Sequence, residues 1–210
     1  MFNFLASFLH GYKVPVKLYW DPVYEDIIEL QNAYSHALMD YWLTFAAGRW
    51  YWWFLLFWSV FPLFIWWKYT DRKRFLEVSF FGVMISISAG ILDAFGVFTG
   101  AWSYPYKLLP FMPNFFPIDY VIVPVVFLLV YQKYTGWKGF VIAVTLISAF
   151  LSLILDPVIV WMNLYQPFWW NYYYSVPVFL FMACFSKWVT MVIAGQQYKY
   201  GGSDHGNQAA

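Results

Sequence analysis

The sequence predicts an all-α fold, a polytopic membrane helical bundle of about five transmembrane helices preceded by an amphipathic interfacial helix. Hydrophobic residues make up 62% of the 210 residues and charged residues only 11%, less than half of the roughly 25% in soluble domains. The charged residues separate long uncharged runs, several of which approach the roughly 20 residues that a helix needs to cross a bilayer. The chain is therefore predicted to be a multi-pass protein of the cell membrane.

Residues 1–48 are predicted to form an N-terminal interfacial segment. After Asp21-Pro22, apolar residues recur at helical spacing across residues 23–45, among four carboxylates. An apolar stripe beside a charged face is typical of an amphipathic helix on a membrane surface. The four carboxylates disfavour an additional transmembrane span in this segment.

Residues 49–196 are predicted to form the transmembrane bundle. Its first span covers residues 50–67 and contains no charged residue. The second covers residues 78–98, where Asp93 is the one charge in an otherwise apolar run. Both runs fall within the range of lengths of membrane-spanning helices.

The later spans are bounded by prolines as well as by charges. We predict a third span over residues 117–132, a fourth over 139–155 and a fifth over 172–192. A proline inside a helix removes a hydrogen bond and clashes with the preceding turn, so Pro157 is expected to kink or end the fourth span. Residues 197–210 are small and polar, and they are predicted to form a disordered tail.

The distribution of cations predicts the orientation of the chain. Eight of the twelve Lys and Arg residues fall on one side of the predicted topology. These are Lys68, Arg72, Lys73, Arg74, Lys133, Lys138, Lys187 and Lys199. The positive-inside rule places that side in the cytoplasm, so the N-terminus is predicted outside and the C-terminus inside. The net charge of +1 gives no reason to expect a nucleic-acid partner.

Three aspartates, Asp93, Asp119 and Asp156, are the candidate catalytic residues. Each lies in an apolar stretch, and the predicted topology places all three towards the outer face of the membrane. Ionisable residues at such depth are costly and usually functional. If the three carboxyls meet, at least one must hold a proton or a cation must lie between them.

Each aspartate also has a purely structural interpretation. Asp119 follows Pro117 in the first turn of a helix, where a carboxylate favourably meets free N–H groups. Asp156 precedes Pro157 and could mark the end of a helix. Asp93 has the weakest structural explanation, because apolar residues continue on both sides of it.

Aromatic residues are concentrated in the same outer segments. The candidate substrate-binding residues are Trp102, Tyr104, Trp169, Trp170 and Tyr174. Interfacial belts of Trp and Tyr are ordinary features of membrane proteins. An aromatic-walled pocket is the alternative, and its ring faces would stabilise a carbocation or a quaternary ammonium group. Nearby carboxyls would then supply a proton or a counter-charge.

Several motifs resemble an uncharacterised family of small multi-pass membrane proteins from spore-forming bacteria. The similarity extends over about residues 42–188. It rests on the run from Asp93 to Pro105, on Phe116-Pro117-Ile118-Asp119, on Tyr131-Gln132-Lys133, on Asp156-Pro157, on Trp169-Trp170 and on Tyr174-Ser175-Val176-Pro177. The resemblance implies a bacterial plasma membrane as the location.

A more distant similarity is to the membrane-embedded lycopene cyclase domains. It rests on Asp93, on Trp102 and Tyr104 in a Gly-Xaa-Trp-Xaa-Tyr segment, and on Pro117-Ile-Asp119. The resemblance implies an isoprenoid substrate and an acidic residue after the proline that protonates a double bond. The cyclase pattern has two adjacent acids, whereas Tyr120 follows Asp119 here.

Three functions are therefore expected as alternatives. The first is an outer-leaflet pocket for an isoprenoid or similar lipid, with cyclase-like or isomerase-like activity if the protein is an enzyme. The second is a proton- or cation-coupled transporter or channel subunit. The third is a structural subunit of a membrane complex, with a homo-oligomer or a partner subunit left open. No cofactor is predicted, and the three histidines lack the paired spacing of a zinc site.

Overall fold

A computed structural model describes residues 22–201 of the chain, with side chains for residues 22–196. The architecture is all-α, as the sequence predicts. The α-helices are α1 (Pro22–Tyr41), α2 (Trp50–Tyr69), α3 (Phe75–Phe98), α4 (Val123–Lys133), α5 (Trp137–Phe150), α6 (Asp156–Trp161) and α7 (Tyr172–Gly201). Three π-helical turns cover Trp42–Ala46, Ile118–Ile122 and Leu151–Leu155, and a 3₁₀ turn covers Arg72–Arg74.

The N-terminal part of the chain forms a helix, as the amphipathic pattern predicts. Helix α1 contains no buried residue, which agrees with a helix that is not part of a packed core. The described residues divide into two compact units, with the boundary between Met39 and Asp40. The predicted segment 1–21 lies outside the described residues.

Four stretches of the described residues are long and apolar enough to cross a membrane. They are Trp50–Tyr69, Arg72–Phe98, Trp137–Trp161 and Tyr172–Gln196. Most of each stretch is not buried against other parts of the chain, as expected for helices whose apolar surfaces face lipid. The composition and these helices identify a membrane protein.

The third predicted span is helical but short. It consists of the five-residue turn Ile118–Ile122 followed by the eleven residues of α4, which at about 1.5 Å per residue extend roughly 24 Å. This length is below the roughly 30 Å of a bilayer core. The C-terminal helix α7 runs to Gly201, so the predicted tail at 197–210 begins as helix, and residues 202–210 lie outside the described range.

The fourth span continues past the proline that was expected to kink or end it. Helix α5 leads into the π-helical turn Leu151–Leu155, and α6 then places Pro157 within its first turn. A proline at the first turn is tolerated because its missing N–H has no partner to lose there. The π turn changes the hydrogen-bond register just before the proline, so the helical path carries Asp156 beyond the predicted end at residue 155.

Helix α3 packs closely against the 118–133 segment. A Cβ atom at Gly82 would lie 3.0 Å from Leu128 Cδ2, and a Cβ atom at Gly90 would overlap the Tyr120 hydroxyl oxygen. The absence of side chains at these positions lets the two segments approach each other. The core beneath is apolar, and its largest fully buried side chains include Tyr131, Phe81, Phe127 and Phe140.

Two short strands tie the loops at one end of the bundle together. Strand β1 (Trp102–Ser103) pairs antiparallel with β2 (Gln166–Pro167), with Trp102 opposite Pro167. The Phe168 N–H also donates to the Ala101 carbonyl at 2.9 Å. This pairing, which the sequence did not predict, brings the loop after α3 against the loop before α7.

The opposite end of the bundle, called here the basic end, contains Arg74, Glu77, Tyr131 and Lys187. Arg74 Nη2 and Glu77 Oε1 form an ion pair at 2.6 Å, and the Tyr131 hydroxyl donates to Glu77 Oε1 at 2.5 Å. Lys187 is 1% exposed. Its ammonium donates to the carbonyls of Tyr134 at 3.0 Å and Thr135 at 2.8 Å. Arg74, Glu77 and Lys187 therefore each have a partner for their charged group.

Candidate functional site

All three candidate aspartates line one cavity at the end of the bundle that carries the paired strands. The cavity has a volume of about 100 Å³. Asp93 reaches it from α3, Asp119 from the π-helical turn before α4, and Asp156 from the start of α6. The remaining walls come from the two strand-linked loops and from α7. The structure thus brings together three carboxyls that are spread over more than sixty residues of sequence.

Asp93 accepts hydrogen bonds on both carboxyl oxygens. Trp102 Nε1 donates to Asp93 Oδ1 at 2.7 Å and the Tyr104 hydroxyl donates to the same oxygen at 2.5 Å. The backbone N–H of Phe115 donates to Asp93 Oδ2 at 3.2 Å. Asp93 is 6% exposed. A carboxyl that accepts three hydrogen bonds is suited to the ionised form.

Asp119 forms a carboxyl pair with Asp93. The Phe115 N–H that donates to Asp93 also donates to Asp119 Oδ2, at 3.1 Å, so the two carboxyls lie side by side on one donor. Two carboxylates on one shared donor repel each other strongly at low dielectric, so they are not both ionised and the pair shares a proton. Because Asp93 already accepts from three donors, the shared proton belongs mainly on Asp119, which then donates to Asp93.

Asp156 lies on the same cavity without a donor. Its side chain is half-buried and is part of the cavity wall. Within residues 22–196, no N–H or O–H group donates to it. Its oxygens are not among the buried atoms without a partner in the described residues, so the carboxyl remains accessible. Asp156 is consequently the carboxyl of this cavity that is available to another molecule.

Aromatic rings form the walls around the carboxyls. Tyr104 stacks on Phe115 with ring centroids 4.9 Å apart, and on Tyr165 at 5.7 Å. Trp102 meets Trp170 edge to face at 5.1 Å. The Trp170 indole N–H is held by Ser175 Oγ at 2.9 Å. The hydrogen bonds of the two tryptophans and of Tyr104 fix the rings in orientation, which makes the cavity a preformed one.

Two of the predicted substrate-binding residues lie outside the cavity wall. Trp169 is 57% exposed and Tyr174 is 40% exposed, and neither lines the cavity. Both rings contact Trp170, with centroids 6.0 Å and 5.4 Å from it. Of Trp169, Trp170 and Tyr174, only Trp170 lines the cavity.

Gly96 allows Trp102 to reach Asp93. A Cβ atom at Gly96 would overlap the Trp102 indole, at 1.9 Å from Cζ2. The chain then turns at Gly100, whose positive φ of 67° suits a residue without a side chain. The indole can therefore lie against the backbone of α3, in line with the Asp93 carboxyl.

Burial changes the ionisation of two loop residues beside the carboxyls. The pKa of Tyr104 is raised well above its ordinary value, first by burial of the hydroxyl and then by the negative charge of Asp93 and Asp119. The pKa of Lys107 is lowered by burial, an effect that Asp93 partly opposes. Tyr104 therefore remains a hydrogen-bond donor to Asp93 well into the alkaline range.

An apolar groove adjoins the cavity on the membrane-facing side. It lies between α3 and α7, has a volume of about 470 Å³, and shares Leu92, Val178 and Met182 with the cavity wall. The rest of its wall is apolar except for Ser88. Among residues 22–196, no lysine or arginine lines either the cavity or the groove.

Sequence reasoning missed two residues that build the site. Phe115 contributes the backbone N–H that joins the Asp93 and Asp119 carboxyls, and no side-chain pattern signals a backbone donor. Tyr165 stacks on Tyr104, and its position just before β2 becomes meaningful only once the strand pairing is known. Asn114, which donates to the Gly90 carbonyl at 2.6 Å, anchors the same loop on α3.

The described residues contain no group of three or more His, Cys, Asp or Glu side chains placed to hold a metal ion. Searches against protein-family models, curated proteins and solved structures find no match to this chain.

Proposed function

We propose that the protein binds an isoprenoid or similar lipid in the carboxyl-lined cavity and that the Asp93–Asp119 pair can protonate a double bond of that lipid. The convergence of three carboxyls on one aromatic-walled cavity is the observation that carries this proposal. Three acids lining the site favour a ligand that accepts a proton or bears positive charge. Aromatic faces stabilise such a cation.

The proposed reaction is an acid-initiated isomerisation or cyclisation. The O–H bond of the Asp119 carboxylic acid breaks as its proton forms a C–H bond with one carbon of the alkene. A carbocation remains on the other alkene carbon or, after ring closure, on a ring carbon. Loss of a proton from a neighbouring carbon forms a new double bond, and the Asp156 carboxylate is placed to accept that proton. The product is an isomer of the substrate, so no oxidant or co-reactant is required.

Asp93 serves as the positioning residue of this scheme. Its three hydrogen bonds hold it in place while it accepts the hydrogen bond of Asp119. The lycopene cyclase domains that the sequence resembles have two adjacent acids, and here the second acid would come from Asp93, which lies beside Asp119 in space. The likeness supports the same class of chemistry.

The proposal also includes the topology expected from the sequence. The protein would have five spans, with the short 118–133 segment as the third, and its N-terminus outside the bacterial plasma membrane. The cavity would then lie towards the outer leaflet. A short third span is compatible with this arrangement, because the segment begins with the turn Ile118–Ile122, which contains Asp119 and lies at the cavity end of the bundle.

The binding test is extraction in mild detergent followed by mass spectrometry of the bound lipids. We compare the parent protein with Asp93→Asn and use Glu77→Gln as the control. Glu77 is a carboxyl in the first turn of α3, at the basic end and therefore away from the cavity. A specific lipid is expected with the parent and the control and is expected to be lost with Asp93→Asn. Absence of a specific lipid, or equal retention in all three proteins, contradicts the proposal.

The test of chemistry is deuterium incorporation. The retained lipid is incubated with the protein in deuterated water, and the label is located by mass spectrometry. Protonation by Asp119 is expected to place deuterium on a former alkene carbon with the parent protein, and Asp119→Asn is expected to lower the rate by about 100-fold or more. Unchanged incorporation in that variant would remove Asp119 as the proton donor.

A second candidate function, proton- or cation-coupled transport, is favoured by a separate observation. Ser148 and Ser152 lie two turns and one turn before Asp156 in the chain, and both are fully buried with hydroxyls that have no hydrogen-bond partner among the described residues. Polar groups along a membrane helix suit a path for protons or cations. Proton flux into liposomes that contain the purified protein, compared with Ser152→Ala, tests this alternative.

An assembly role is the least supported of the three functions. It would require the aspartates to face basic groups of a partner subunit or of a second copy. The carboxyls instead line an internal cavity, which supports a ligand over a protein partner.

A further inference from the structure

The carboxyl-lined cavity by itself is too small for a lipid. Its volume of about 100 Å³ is below the roughly 300–1,000 Å³ of sites that enclose a ligand of drug size. The adjoining groove, at about 470 Å³, is within that range. A lipid that reaches the carboxyls must therefore leave most of its length outside the cavity.

The groove is placed to hold that remaining length. Leu92, Val178 and Met182 belong to both walls, so the groove and the cavity adjoin at these three side chains. Both helices that form the groove are long enough to cross the membrane, so the groove opens towards lipid. The groove wall is apolar except for Ser88. This surface suits one hydrocarbon chain and offers nothing to a polar headgroup.

The charge of the cavity restricts which chemical group the entering end of the lipid can carry. Three carboxyls line it, and no lysine or arginine of the described range lines the cavity or the groove. A phosphate or diphosphate would be repelled by the ionised members of this group. No cation of the cavity wall would replace its hydration, because Lys107, whose ammonium interacts with Asp93, is buried outside that wall. An uncharged alkene end loses little on entering, and a cationic end gains from the carboxylates and the rings.

From these observations we infer that the ligand is a single-chain lipid whose leading end is not phosphorylated, and that it reaches the carboxyls sideways from the membrane through the groove between α3 and α7. The inference rests on the proposed function, because it takes the cavity as the ligand site. It adds the route and the ligand class. A long-chain amine with the same tail resembles the cationic intermediate and binds more tightly than the alcohol.

The test uses three photoreactive probes that share one alkyl chain and carry an amine, an alcohol or a phosphate at the end. The protein is placed in phosphatidylcholine nanodiscs, and labelled peptides are identified by mass spectrometry. The alcohol and the amine are expected to label the peptides that contain Leu92 and Met182, with the amine effective at roughly tenfold lower concentration. Equal labelling by the phosphate probe overturns the ligand class.

The route is tested by filling the groove. Ser88→Trp places an indole in the groove away from the shared cavity wall, and Ile87→Trp is its matched control, because Ile87 is 51% exposed on another face of α3. Labelling is expected to fall at least about fivefold in Ser88→Trp and to persist in the control. Ser88→Leu serves the same purpose if the larger substitution prevents folding. Unchanged labelling in a folded groove variant overturns the route.

Failure of this inference is distinguishable from failure of the proposed function. If Asp93→Asn abolishes lipid retention while Ser88→Trp leaves labelling intact, the cavity remains a ligand site and the lateral route is wrong. If Ser88→Trp abolishes labelling while Asp93→Asn leaves both lipid retention and probe labelling unchanged, the groove holds lipid that does not engage the carboxyls. That result overturns both.

Discussion

The two ends of the bundle both contain buried ionisable groups, but the partners of those groups differ. At the basic end, Arg74 pairs with Glu77, and Lys187 donates to two backbone carbonyls. At the cavity end, Asp93 and Asp119 are two acids that share the Phe115 N–H, and Asp156 has no donor within residues 22–196. The named charged groups of the first end each have a partner, whereas three carboxyls are grouped together at the second.

This difference separates a structural role from a functional one. A buried charge with complete hydrogen bonds holds its neighbours in place, and its removal leaves those neighbours unsatisfied. An unpaired carboxyl in a cavity contributes nothing to packing and is retained at a cost in stability. Substitutions at the two ends should therefore affect different measurements.

The largest effect on stability is expected at Lys187. Lys187→Ala removes the donor to Tyr134 O and Thr135 O and the cation 4.3 Å from the Phe140 ring centre, so the free energy of unfolding should fall by about 3 kcal/mol. The measurement is denaturation in mixed micelles. Lys187→Met, which keeps most of the side-chain volume, should restore part of the loss. Wild-type stability for Lys187→Ala would refute a structural role for the basic end.

A smaller effect is expected at Gly96, where the cavity end depends on close packing. Gly96→Ala forces the Trp102 indole away from α3, which should cost about 2 kcal/mol and break the bond from Trp102 to Asp93. Tryptophan fluorescence and the denaturation midpoint measure the two consequences. Gly195→Ala is the control, because nothing lies within 4 Å of its added Cβ atom. Equal behaviour of the two variants would contradict the packing of Trp102.

The carboxyls of the two ends should respond in opposite ways to neutralisation. Glu77→Gln weakens the bonds to Arg74 and Tyr131, and we expect a loss of about 1–2 kcal/mol. Asp156→Asn removes a carboxyl that has no donor, so the free energy of unfolding should stay the same or rise. Denaturation of both variants in one detergent gives the comparison. A loss for Asp156→Asn as large as that for Glu77→Gln would erase the distinction between the two ends.

The smallest effect is spectroscopic and concerns Tyr104. Its pKa is raised in the folded state, so the stability that the neutral hydroxyl contributes is fully present below about pH 10 and is lost as pH rises through the higher folded pKa. Ultraviolet titration of the parent protein minus Tyr104→Phe should therefore show no tyrosinate signal near pH 10. A difference signal with an ordinary midpoint would show that the hydroxyl is not held by the carboxyl pair.

Much of the fold follows from the sequence, because a bilayer limits the solutions. Uncharged runs of sufficient length predict helices, and the runs around residues 50–67, 78–98 and 172–192 became α2, α3 and α7. The continuation past Pro157 was not predictable, since it depends on a π turn that shifts the hydrogen-bond register. Composition gave no sign of that turn.

The candidate site was predictable in its acids and less so in its details. Asp93, Asp119 and Asp156 stand out because an isolated carboxylate in an apolar run is rare for energetic reasons. The sequence ranks Asp93 first, because apolar residues continue on both sides of it, but it does not show which carboxyls share a donor. Asp119 has a helix-start explanation, and its side chain does accept the Phe115 N–H there. Its place beside Asp93 depends on the loop that brings the same N–H to both carboxyls.

By itself, the sequence determined that this is an all-α membrane protein and that three carboxyls lie in apolar surroundings. Hydrophobic burial in lipid depends on composition and run length, which can be read along the chain. The tertiary structure decided that the carboxyls share one cavity, that Trp170 lines it while Trp169 and Tyr174 do not, and that a groove adjoins it. Those facts depend on the pairing of β1 with β2, which joins residues distant in sequence, and on the close approach of Trp102 to Gly96 after the chain has turned.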